Sequence, residues 1–321
     1  MAVDRRTLMA GALAAGLAGK AAAQGGGGVS TMQSTIALWH GGVPGLPARP
    51  PVETVEQRSQ DPALPDRSMY GIGAPRMNVF KPARANGGAV LIIPGGGYAR
   101  VVFDKEGHEL ARRFTARGVA AFVLLYRLPG EGWANQADVP LADAQRAMRL
   151  IRHNAPSYGI DPKRIGAVGF SAGGHLCADL ATRFDRPVYA PFDAADRQPA
   201  RPDAAAPIYP VISMAAPVTH AGSRRNLLGE TASPERERAY SAHLNVGEGG
   251  PPIFLCHAED DAAVPVENSL LMREACKAKR VPVETHLFPD GGHGFGLRAE
   301  GKSVYGWEKL LIGWGEKRGI F

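Results

Sequence analysis

The chain has 321 residues, 37 Lys and Arg against 31 Asp and Glu, and a net charge of +6. Its basic residues are scattered rather than gathered into a stripe, which argues against nucleic-acid binding. No apolar run is long enough to span a bilayer, so no stable membrane insertion is expected, and the length suits one α/β domain.

The chain opens on Asp4-Arg5-Arg6-Thr7-Leu8-Met9, a twin arginine before a short apolar stretch that ends in Ala21-Ala22-Ala23. This pattern predicts a twin-arginine signal peptide over 1–23, cleaved at the small residues, and a periplasmic or secreted protein. Lys20, close to the cleavage site, fits that route better than the general secretory one. Residues 24–66, rich in Gly, Pro and Gln, read as an extended N-terminal segment with one strand at Thr35 to Trp39, and 67–321 as the main α/β domain. Cys177, Cys256 and Cys276 show no metal or redox spacing, and an oxidising compartment leaves one disulfide among them open.

From Met77 onward, strands alternate with helices. Ala89-Val90-Leu91-Ile92-Ile93 is an apolar strand of the kind buried on both faces, and it runs into Pro94-Gly95-Gly96-Gly97-Tyr98. A helix carries Glu109, Leu110 and Phe114, followed by a strand at 120–125 and an amphipathic helix from Leu141 to Arg152. The strand Arg164 to Phe170 meets a helix at Ser171. Residues 184–206 read as irregular, Ile208 to Ile212 as a strand, and 214–250 as a segment able to cover a site. A strand at 252–257, a helix at Glu267 to Ala278, a strand at 283–288 and a helix at Val304 to Trp314 close the domain. The alternation predicts a single-domain α/β fold, mostly parallel, with helices on both faces of the sheet.

Gly169-Phe170-Ser171-Ala172-Gly173 places a serine between strand and helix. The turn is sharp, so Gly is required at 169 and 173, where a Cβ would collide with the crossing backbone. In such sheets the reacting groups come from loops at the carboxyl ends of strands. The three glycines after Pro94 let the N–H groups of Gly96 and Gly97 join that of Ala172 in an oxyanion hole. Glu259, Asp260 and Asp261 compete as the acid of a triad, and His293, flanked by glycines on a loop, is its base. Serine, acid, then histidine is the chain order of α/β-hydrolases.

On these residues the chain resembles α/β-hydrolases of the bacterial acetyl xylan esterase group, which includes the bifunctional feruloyl and acetyl xylan esterases. The resemblance also rests on Tyr126-Arg127-Leu128, Asp143 to Ala147, Arg201-Pro202-Asp203, Tyr209-Pro210, Leu227-Leu228-Gly229 and Gly291 to Gly296. It covers the chain from about Val79 onward. Pro94 stands where lipase-like esterases carry His before the glycines. The resemblance implies catalysis by Ser171, Asp261 and His293 without metal or organic cofactor, the acid being the residue four before Pro265. It implies a small-molecule or oligosaccharide ester substrate, in first place acetylated xylo-oligosaccharides. Feruloyl, aryl or general carboxylic esters come second, a peptidase is remote, and the non-enzymatic alternative is a binding protein on a hydrolase scaffold. Tyr98 and Trp39 are candidate aromatic platforms for a sugar ring, with a plain packing role as the alternative. The oligomeric state is open.

Overall fold

A computed structural model describes residues 31–321. The expected signal peptide, 1–23, lies outside the described residues. The described chain begins with strands β1 (Ser34–Ala37), β2 (Thr54–Gln57), β3 (Arg67–Tyr70), β4 (Arg76–Phe80) and β5 (Gly87–Ile93). A π-helical turn, Asp104–His108, leads into α1 (Glu109–Thr115), followed by β6 (Ala120–Leu125), α2 (Val139–His153) and β7 (Ile160–Phe170). Then come α3 (Ser171–Thr182), β8 (Ala204–Ile208), α4 (Ala221–Leu228), α5 (Pro234–Ala239) and β9 (Ile253–Ala258). The chain closes with α6 (Glu267–Ala278), β10 (Val283–Phe288) and α7 (Trp307–Lys317).

Eight strands form one sheet in the order β1-β4-β6-β5-β7-β8-β9-β10, while β2 and β3 pair separately. The pairs β1–β4 and β4–β6 are antiparallel and all others in the main sheet are parallel. From β5 the chain steps to β6 on one side and then to β7 on the other. The order therefore reverses between β5 and β7, the crevice where open α/β sheets bind ligands.

Side chains leave a strand on alternate faces. On β5, Ala89, Leu91 and Ile93 enter one core, while Val90 and Ile92 enter the other. The first core is closed by α2, α3 and α6 through Leu141, Met148, Leu176 and Met272. The second is closed by α1 and α7 through Leu110, Phe114, Leu311 and Trp314. Helices thus lie on both faces, as the alternation of elements predicts.

Two expectations shift. The strand expected at 208–212 is instead Ala204–Ile208. Tyr209 takes φ +35°, which turns the backbone out of the extended course. Beyond it, Val211 N donates to Ser171 O, and Ile212 N and Ser213 N both donate to Asn268 Oδ1 rather than to a ladder. The segment 214–250 is not loop alone but holds α4 and α5, both short. All three cysteines are free and buried, so the disulfide left open by the sequence does not form.

Candidate active site

The strand-to-helix turn is fixed by sterics. A Cβ on Gly169 would lie 2.1 Å from Gly173 O, and one on Gly173 would lie 2.3 Å from Ile93 O. Neither gap admits a carbon. Ser171 is forced to φ +55°, a conformation rare outside glycine, which lifts its side chain from the sheet above the first turn of α3.

Ser171 Oγ donates to His293 Nε2 at 2.8 Å, and His293 Nδ1 donates to Asp261 Oδ2 at 2.7 Å. The structure thus brings the predicted serine, acid and histidine into one hydrogen-bonded line from the ends of β7 and β9 and the loop after β10. Asp261 also accepts from Ala263 N and Val264 N at 2.9 and 2.8 Å. Its neighbour Asp260 faces away and accepts from Gly291 N and Gly292 N, which moors the histidine loop. Burial alone would raise the Asp261 carboxyl. Hydrogen bonds from His257, His293 and Val264 outweigh that and hold it well below the usual carboxylate range. An ionised carboxylate at this place keeps the imidazole's Nδ1 protonated and its Nε2 free to accept from the serine.

Beside the serine, Gly96 and Gly97 take φ +128° and +66°. Among the described residues no protein group accepts from either N–H. The N–H of Ala172, in the first turn of α3, is likewise one that the helix leaves unpaired. Among the described residues, the three backbone N–H groups expected to form the oxyanion hole are thus left without a protein acceptor. No group of three or more His, Cys, Asp or Glu among the described residues could hold a metal ion.

Several residues that sequence reasoning passed over support this arrangement. His257 Nε2 donates both to Val264 O at 3.0 Å and to Asp261 Oδ2 at 3.2 Å, a second imidazole on the same carboxylate. The four-residue spacing from His257 to Asp261 was its only signal in the sequence. Glu106 lies buried under the glycine loop, where Oε2 accepts from Gly95 N at 2.8 Å and Oε1 from Tyr209 Oη at 2.9 Å. Burial pushes its carboxyl up, against those two hydrogen bonds. Tyr209 Oη in turn accepts from Gly296 N, and its ring meets His293 edge-on at 5.3 Å. One buried carboxylate thus joins the glycine loop to the histidine loop.

Tyr98 is corrected. It is 2% exposed, and its hydroxyl pairs with His175 Nδ1 at 2.7 Å, so its ring offers no face to a substrate. His175 Nε2 donates to Tyr240 O, and the pair ties the glycine loop to the covering segment. Trp39 takes the packing alternative: it is buried, its Nε1 donates to Asp143 Oδ1, and Tyr189 and Phe192 meet its ring edge-on. In the segment 184–206, Asp193 and Asp196 pair with Arg146. The other covering segment, 214–250, does reach the site. Asn226 Nδ2 donates to Gly97 O at 2.8 Å, and the His220 ring lies beside Gly97.

With this geometry in place, known proteins give its context. The family model BD-FAE matches residues 77–276. The crystal structure of an acetyl ester-xyloside bifunctional hydrolase from Caldicellulosiruptor lactoaceticus is similar, with a TM-score of 0.74 and 35% identity. The match covers 92% of this chain and 99% of that one. Endo-1,4-beta-xylanase B of Butyrivibrio fibrisolvens is 39% identical over 224 residues, 68% of this chain. An acetylxylan esterase of Xylanibacter ruminicola is 31% identical over 234 residues, 70% of this chain. The matched regions span only 34% and 44% of those two relatives.

Proposed function

The chain belongs to the BD-FAE family, with the α/β-hydrolase fold of acetyl xylan esterase-like proteins, and on that premise we propose that it is a serine esterase removing acetyl groups from xylo-oligosaccharides. The hydrogen-bonded line Ser171–His293–Asp261 beside three unengaged backbone N–H groups carries this reading.

In it, His293 Nε2 takes the serine proton as Ser171 Oγ attacks the ester carbonyl, and Asp261 stabilises the imidazolium that forms. The N–H groups of Gly96, Gly97 and Ala172 hold the oxyanion, each worth about 2.7–4 kcal/mol in the transition state. The tetrahedral intermediate collapses as His293 returns the proton to the departing sugar oxygen. Water, activated by the same imidazole, then releases acetate and frees Ser171. Residues 67–321 are the catalytic domain in this account. The twin arginine at Arg5 and Arg6 would send the folded protein out of the cytoplasm, toward polymer fragments arriving from outside.

The test is kcat/KM across acetyl, butyryl, octanoyl and feruloyl esters, with acetate release from acetylated xylan fragments measured in parallel. Acetyl esters should react fastest, and acyl chains beyond about four carbons poorly, because among the described residues no long apolar segment covers the site. Fastest turnover of octanoyl esters with no acetate from xylan fragments would replace the carbohydrate reading by a general carboxylesterase.

A further inference from the structure

His220 stands at the entry to α4, where its side chain caps the helix. Its Nδ1 accepts from Ser223 N at 3.2 Å and lies 2.8 Å from Ser223 Oγ. A backbone N–H can only donate, so Nδ1 must present its lone pair. The ring proton of the neutral imidazole then sits on Nε2. Burial and the nearby His293 both lower the tendency of His220 to take a second proton, against a smaller opposing pull from Asp261. The ring is therefore a neutral donor, and among the described residues its Nε2 meets no protein acceptor.

Its position is set from both ends of α4. A Cβ built on Gly97 would lie 3.9 Å from His220 Cε1, and Asn226, at the other end of the helix, grips Gly97 O. The helix thus registers this imidazole against the loop that carries two of the three oxyanion donors. A cap alone does not explain a histidine here, since Asn, Asp and Ser cap better and need no second nitrogen. What remains to explain is the free N–H of a ring that lies beside Gly97 and feels the charges of His293 and Asp261.

We propose that His220 contacts substrate, its Nε2–H donating a hydrogen bond to a hydroxyl adjacent to the ester on the alcohol half. This rests on the esterase reading above. The oxyanion already has three backbone donors, and an acetyl group has no further polar atom to receive one. A vicinal hydroxyl, as on a partly acetylated sugar ring, is the acceptor left. No proton is transferred: His220 selects the alcohol and leaves the acid–base work to His293.

His220→Asn separates the two roles, because the Asn side-chain oxygen can still accept from Ser223 N while the distal donor is gone. Cyclohexyl acetate and trans-2-hydroxycyclohexyl acetate form the probe pair, differing only in the hydroxyl beside the ester. The parent enzyme should favour the hydroxylated ester. His220→Asn should lower kcat/KM for that ester about tenfold, as expected for one good hydrogen bond, and change the plain ester less than about threefold. Equal losses on both esters, no loss on either, or no parent preference for the hydroxyl would overturn the assignment. Acetate release from a xyloside monoacetate, run alongside, reports on the sugar reading separately: its failure with an intact cyclohexyl preference would remove the sugar and leave His220 in place.

Discussion

The turn at Ser171 and the covering segment 214–250 meet at one site but are held by different physics. At the turn, backbone atoms of β5, β7 and α3 approach so closely that no side chain fits at Gly169 or Gly173. The covering segment combines buried apolar anchors, Leu227, Leu228, Tyr240, Ala242 and Val246, with directional polar contacts. Arg224 bonds Glu237 and the carbonyls of Gly229, Glu230 and Ala232, Asn226 holds Gly97 O, and Asn268 Nδ2 donates to Val218 O. No residue of α5 is buried. Each such bond contributes only about 0.5–1.5 kcal/mol net, so it can be exchanged for another by a substitution or two. Steric constraint permits one geometry, while polar tethers permit several. The first suits chemistry that must not vary, and the second suits selection among alcohols.

Changes on the rigid side should cost most. Ser171→Ala should lower kcat by about 10⁶-fold with the unfolding midpoint unchanged, and should abolish fluorophosphonate labelling. Retention of a hundredth of the activity would move the nucleophile elsewhere. Asp261→Asn should cost about 10³–10⁴-fold in kcat, because the imidazole loses the tautomer that accepts from Ser171. Asp260→Asn should cost less than about tenfold, since an amide oxygen can still accept from Gly291 N and Gly292 N. Equal losses in the two variants would mean that Asp261 has no special role.

Gly173→Ala tests the steric half of the comparison directly. The added carbon meets the carbonyl oxygens of Ile93 and Pro94 at 2.3 and 2.4 Å, so a urea melt should show a loss of about 1–3 kcal/mol or more. An unchanged midpoint would mean the turn relaxes, and the contrast with the covering segment would vanish. The smallest effect is expected at Asn226→Ala, which frees Gly97 O without disturbing the core. A two- to tenfold drop in kcat/KM, with stability nearly unchanged, is the expected result. A drop as large as that at Asp261 would place the covering segment on the rigid side.

The same division explains what the sequence discloses. Steric demands leave glycines behind, so the turn at Ser171, the loop after Pro94 and the loop around His293 can be read from residue types alone. Choosing Asp261 over its two acidic neighbours took a resemblance, because three consecutive acids carry no periodic signal. β8 went unseen at its true place because alanines have weak strand preference, while the β-branched run just after it looks better on paper than it folds. There the left-handed Tyr209 and the imide of Pro210 end the ladder. α4 and α5 are too short to show an apolar stripe. Glu106 could not be found at all, since nothing marks an acid that burial and two distant donors hold in place. Tyr98 misled for the opposite reason: an aromatic after a glycine loop looks available until His175 is seen to hold it.

The buried pair of Arg127 and Asp143 bears on how the chain assembles. The guanidinium donates to both carboxylate oxygens and to Pro44 O, while the same carboxylate accepts from Trp39 Nε1 and Arg146 reaches Leu38 O. Each of these links from 38–44 spans at least 83 residues of intervening chain. Closing so long a loop costs entropy before any bond repays it. The stretch 38–44 is therefore expected to dock late. Until it does, one salt bridge stays open to water, and Trp39 fluorescence would time its closure.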